Sequence, residues 1–153
     1  MRRYGHRIAI FIPLFLIVVI LWLFLNGLFR SSSVQAWKAV DKFYQYEQEG
    51  NFAGSWEMFH PFMKQKFPKG HYLQDRAHVF MNHFGVETFT YSMGKPEKEK
   101  KWQPSNEKQE FNVVYKVQVI QVYKGKYGNF SLHQDVFVVQ EEKDWMIIWD
   151  YWK

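Results

Sequence analysis

The chain of 153 residues is expected to fold as an α+β domain behind an N-terminal transmembrane helix, and three features lead there. The first is a long uncharged run over residues 8–29. The second is apolar spacing of three to four residues between Ser33 and Phe84, which is the period of a helix. The third is a switch after Val86 to alternation, the period of a half-buried strand. Helical stretches followed by an antiparallel meander make an α+β plan. Three helices against an antiparallel sheet of about four strands are expected.

The run IAIFIPLFLIVVILWLFLNGLF holds 22 residues without a charge. At about 1.5 Å per residue it would reach roughly 33 Å, enough for a hydrocarbon layer of ~30 Å. A buried core helix of that length would carry polar residues along one face, and this one has none. Arg2, Arg3 and Arg7 crowd the short N-terminal side, which is expected to stay cytoplasmic, placing the rest outside. Arg30, Lys38 and Lys42 on the other side are sparser and mixed with Asp41. Val34-Gln35-Ala36 loosely resembles a signal-cleavage site, but the apolar run exceeds the ~7–15 residues of a signal peptide. Arg30 also separates the two, so an uncleaved anchor is expected. The chain then reads as a basic N-terminus (1–7), a transmembrane helix (8–29), a linker (30–33) and an extracytoplasmic domain (34–153), with the lipid bilayer as its first partner.

In the domain, Ser33 can cap a helix whose positions Ala36, Trp37, Val40, Phe43, Tyr44 and Glu47 follow helical spacing. Gly50 is a natural stop and Asn51 can cap the next helix, which carries Phe52, Trp56 and Phe59. His60 should break it, because the residue before Pro61 avoids the helical region, and Pro61 suits the first turn of a continuation through Phe67. Pro68-Lys69-Gly70 reads as a turn, and 71–84 as a helix ending at Gly85. The alternating segments are 86–93, 111–124, 130–142 and 145–152. Gly125–Asn129 and Lys143-Asp144 serve as turns, and 94–108 as a polar loop.

Composition narrows the function. The chain has no cysteine, which removes thiol catalysis, cysteine metal sites and attachment through a lipidated thiol. Aromatic residues make up 20%, so the core is built from large flat side chains. The net charge of +5 loses its force once the three arginines before the apolar run are set aside. Residues 30–153 then hold 17 basic against 15 acidic side chains, with the signs mixed. Nucleic-acid binders concentrate basic residues on one face, so no nucleic-acid partner is expected.

The opening VDKFYQYEQEGNFAGSWEMFHPFMKQKF and the closing VFVVQEEKDWMIIWDYW carry a resemblance to the nuclear-transport-factor-2-like superfamily, the cystatin-like α+β roll. A helix, Gly-Asn, a helix bearing Trp56 and a last hairpin whose final strand opens with Trp145 are similar to its membrane-anchored extracytoplasmic members in bacteria. The resemblance implies a cone, with helices packed into a strongly curved antiparallel sheet. The fold hosts isomerases, dehydratases, ligand binders and assembly modules, so activity has to be argued from a site.

Enzymes of that superfamily place an acid or base inside the cone. The inward polar residues read from the strands are Tyr115, Gln121, Tyr123, Gln134 and Gln140, none of them a carboxylate, so a cone filled by aromatics is expected. A small apolar ligand, if bound, would sit near Tyr44, Tyr115 and Asp150. His71, Asp75 and His78 share one helix face at i, i+4 and i+7 and are candidate metal ligands. That face points away from Leu73, Ala77, Phe80 and Phe84, as a solvated face does, so no metal and no cofactor is expected. His60, His133 and Asp135 read as packing or solvated residues. Trp102, within the charged 94–108 loop, is a candidate exposed contact for a partner, expected to be another envelope protein. A non-enzymatic binding or assembly module is the reading these features favour, with a pocket enzyme or small-ligand binder as the alternative.

Overall fold

The computed structural model describes residues 15–19, 32–78, 83–105 and 107–150, in two units, Met1–Ser31 and Ser32–Lys153. In the first unit residues 15–19 are helical, a stretch of roughly 7.5 Å at about 1.5 Å per residue. Among the described residues no helix is long and apolar enough to cross a membrane. The transmembrane helix expected over 8–29 is therefore not among the observed elements. Apart from 15–19, that segment lies outside the described residues.

The second unit is α+β. Its helices are α1 (Ser32–Gln48), α2 (Phe52–Glu57), α3 (Pro61–Lys66) and α4 (Lys69–Arg76). Its strands are β1 (Phe89–Met93), β2 (Glu97–Trp102), β3 (Phe111–Gly125), β4 (Gly128–Glu141) and β5 (Asp144–Trp149). Among the described residues, four α-helices and five strands thus stand where three helices and about four strands were expected. The caps stand where the residue types put them. Gly50 ends α1 with φ +73°, a conformation that favours glycine. The Asn51 side chain accepts from Gly54 N at 3.0 Å, and His60 caps α3 just before Pro61. Pro68 caps α4, so Lys69 and Gly70 belong to that helix and not to a turn.

All strands pair antiparallel. β3 is bordered by β4 on one side and by β1 and β2 in succession on the other, and β5 lies outside β4. Met93 pairs Val119 while Glu97 pairs Lys116, so three residues of one strand face two of β3. This is a one-residue bulge at Gly94-Lys95-Pro96, and it splits what would otherwise be one strand. The polar loop expected over 94–108 is therefore half strand. EKEKKW shows no apolar alternation because β2 is an edge strand, where charged side chains are the norm. Its Glu97 and Glu99 instead pair across the ladder with Lys116, at 3.1 and 3.4 Å. The last turn is Glu142-Lys143, with Glu142 at φ +53°, and Asp144 already belongs to β5.

α1 packs across β1, β3, β4 and β5. Its Ala36, Val40, Phe43, Tyr44 and Glu47 meet the sheet face that carries Tyr115, Val117, Val119, Gln121 and Tyr123, all buried. Trp149 closes this core, with its ring near Phe43, Phe59 and Tyr72. The other face is not fully solvated. Val136, Phe137, Val138 and Val139 are all buried in succession, as are Ile147 and Ile148. The covering group is Trp102, stacked on Phe137 with ring centroids 4.0 Å apart, and Phe111 lies beside it. The chain after β2 holds down this second, smaller core. Pro104 is buried, Ser105 bonds Asp150, and Glu107 pairs with Lys66 at 2.5 Å.

Candidate functional site: a buried Glu47–Arg76 centre

α1 places a carboxylate inside the domain. Glu47 falls in phase with Val40, Phe43 and Tyr44, so the periodicity that buries those residues buries it too, with its side chain wholly inaccessible. Arg76, on the last turn of α4, meets it in an ion pair between Nη2 and Oε2. The other carboxylate oxygen accepts from the Ser55 hydroxyl and, at 2.6 Å, from the Tyr72 hydroxyl. Ser55 Oγ and Tyr72 OH are themselves 3.3 Å apart. Below the pair, the Tyr123 hydroxyl donates to Gln121 Oε1 at 2.5 Å. Five elements (α1, α2, α4, β1 and β3) meet around this centre, and a cavity of about 30 Å³ is lined by Glu47, Arg76, Phe52, Phe89 and Tyr123.

The electrostatics are those of a paired internal charge. Burial alone would lower the Arg76 pKa, but the Glu47 carboxylate, with Tyr72 and Tyr123, outweighs it and holds the guanidinium more firmly protonated. Burial raises the phenols of Tyr44, Tyr72 and Tyr123, with the Glu47 charge adding to it at Tyr72. Burial also raises Tyr91, which donates to Asp41 Oδ1 at 2.8 Å. A carboxylate that already accepts two hydroxyl protons and a guanidinium has little capacity left to take a proton from a substrate.

These shifts predict alkaline behaviour. A phenol whose folded pKa lies above the ordinary 10.0 stabilises the fold fully below that pH, and its contribution is lost as pH rises through the folded value. Titrated by tyrosinate absorbance, Tyr44, Tyr72, Tyr91 and Tyr123 should ionise only well above the ordinary 10.0, together with loss of the fold. A single step near pH 10 for all nine tyrosines, with the fold intact, would contradict this.

The residues singled out from the sequence go to separate places. Tyr44 is buried and donates to Gln134 Oε1 at 2.9 Å. Tyr115 is buried against Trp145, beside a surface recess. Asp150 points to the loop after β2, accepting from Ser105 N at 3.0 Å and Oγ at 2.7 Å. These three serve three neighbourhoods, not one pocket. Trp102 is half-buried on β2 against Phe137 instead of exposed on a loop.

His71, Asp75 and His78 are exposed, and among the described residues no three His, Asp or Glu side chains are grouped to hold a metal ion. The cause is local. After Arg76 the helix widens at Ala77 and His78 to a five-residue period, which turns His78 toward His83, with Nε2 atoms 2.9 Å apart. Asn82, which helical spacing would put on the same face, lies outside the described residues. His60 is buried: its Nδ1 accepts from Phe62 N at 3.1 Å, so Nε2 carries the proton and donates to Glu141 at 2.7 Å.

Glu47 and Arg76 are what the strand-based reading of the interior missed. The available signal was a carboxylate standing in an apolar helical stripe. No protein-family model and no curated protein matches this chain.

Proposed function

We propose that residues 32–153 form a non-enzymatic binding or assembly module of the cell envelope. The observation that carries this reading is the filled interior. Aromatic rings occupy the space between α1 and the sheet, and the buried charges bond to one another. The cavity beside them holds about 30 Å³, against the several hundred that a small-molecule site needs. Helices followed by an antiparallel sheet with a bulged edge also support membership of the nuclear-transport-factor-2-like superfamily, whose members include assembly modules.

The second part of the proposal is location. The uncharged run 8–29 attaches the module to the bilayer, with the arginine-rich N-terminus cytoplasmic and the domain outside. In its support, Phe15, Leu16, Ile17 and Val18 are successive residues of a helical turn and expose 53–68% of their surface. Apolar side chains on every side of a turn suit lipid better than water. Cross-linking of the full-length protein in its membrane, followed by mass spectrometry, tests the whole reading. A reproducible envelope partner is the expected result. A monomer without partners that instead binds a small apolar molecule saturably would replace this reading with the pocket alternative.

A further inference from the structure

The outer edge of β5 borders a groove of about 670 Å³ between α1, α2 and the β4–β5 turn. Among the described residues that edge is occupied at one point only. Ile147 N donates to Met58 O at 2.9 Å, and Ile147 O accepts from His60 N at 3.0 Å, a single parallel bridge. In an antiparallel strand, successive residues direct their backbone groups to opposite edges. The N–H and C=O of Trp145, two residues before Ile147, therefore point to the same edge. At that level the neighbouring chain has already turned away into α2, which ends at Glu57. Among the described residues, no backbone hydrogen bond outside the β4–β5 ladder reaches Trp145.

The groove is basic over an apolar floor. Lys38 and Lys42 stand one helical turn apart on α1, and Lys143 stands on the turn opposite, all exposed. No ion pair among the described residues engages any of the three. Of the two acids lining the groove, Glu57 is already bridged by Lys69 at 2.7 Å and Lys64 at 3.3 Å, leaving Asp144. Met58 and Trp145 are half-buried on the floor.

We propose that this groove binds a short, extended, acidic segment of a partner protein, which pairs with the Trp145 backbone as an added strand and sets its carboxylates against Lys38, Lys42 and Lys143. Main-chain bonds to an open edge give such a contact its affinity, and side chains on alternate residues give it selectivity. This rests on the binding-module reading above and names the chemistry of its partner.

The test uses the full-length chain in zwitterionic detergent and a fluorescent octapeptide alternating Val and Glu, with its Val/Lys counterpart as control. The acidic peptide should bind with an affinity that falls as salt rises, and the basic one should not. The double substitution Lys38→Glu/Lys42→Glu, on two exposed positions, should weaken binding by roughly tenfold or more, about 1.4 kcal/mol or more. Replacing the central valines with proline, which cannot donate to a ladder, should weaken it as well. Equal binding of both peptides, or binding indifferent to the double substitution, overturns the proposal. So does a substitution that abolishes attachment to phosphatidylglycerol vesicles while sparing the peptide, which would assign the lysines to a lipid surface. A cross-linked partner that maps away from the groove would overturn this inference and leave the binding-module reading standing.

Discussion

Replacing Arg76 with alanine lowers the unfolding free energy by about 3–5 kcal/mol, the range for breaking one partner out of a buried ion pair. The Glu47 side chain is wholly buried and Arg76 only 14% exposed, so the stranded carboxylate cannot recover its hydration without opening the joint between α1 and α4. Against a typical total of ~5–15 kcal/mol, the loss is large. Thermal unfolding of the full chain in detergent measures it. Two comparisons identify the cause. Glu47→Gln keeps an oxygen for the Ser55 and Tyr72 hydroxyls and frees the more accessible partner, so it should cost less. The double substitution Glu47→Leu/Arg76→Met leaves no unpaired charge and should recover most of the loss, because the Ser55 and Tyr72 hydroxyls, 3.3 Å apart, can still bond to each other. A double variant no more stable than Arg76→Ala would show that the centre acts through packing and not through charge.

Trp149→Ala is expected to cost a similar ~3–5 kcal/mol through a different cause, the cavity left by a large ring. The Trp149 ring lies 4.8 Å from Phe59, 5.6 Å from Phe43 and 6.2 Å from both Phe67 and Tyr72. These rings come from α1, from the segment after α2, from the end of α3 and from α4, so one side chain on β5 joins the whole helical layer to the sheet. Near-ultraviolet circular dichroism should lose its aromatic bands before far-ultraviolet signal is lost, because the ladder bonds of β4 and β5 do not depend on the ring. Trp149→Phe, which retains part of the contact, should fall between alanine and the native protein. A change below about 1 kcal/mol for alanine would mean the helical layer closes over the gap, or that its packing carries less of the stability than the contacts imply.

The three-to-four spacing from Ala36 to Glu47, the stop at Gly50, the cap at Asn51 and the break before Pro61 were legible because each is a local property of backbone and side chain. So was the alternation of Tyr115, Val117, Val119, Gln121 and Tyr123, since a pleated strand with one buried face must show it. Where elements depend on distant neighbours, the local signal failed. β2 has no pattern of its own and exists because β3 offers an edge. Its register against β3 is set by the bulge at Gly94-Lys95-Pro96. Trp102 looks like an exposed anchor in a charged run until β4 supplies Phe137 beneath it. Asp150 could not be assigned to a face from TrpMetIleIleTrp, because the second core buries both sides of β5.

The candidate centre divides the same way. That Glu47 would be buried follows from its place in the α1 stripe, since burial on a helix is decided by phase. That it would meet Arg76, Ser55 and Tyr72 does not, because a buried carboxylate is tolerable only where partners arrive from elsewhere. α2 and α4 supply them, 8 to 29 residues further along the chain. Periodicity, caps and turns are energies of neighbours in sequence and can be read there. The pairing of charges, the second face of the sheet and the open edge at Trp145 are energies of neighbours in space, and only the packed chain brings those neighbours together.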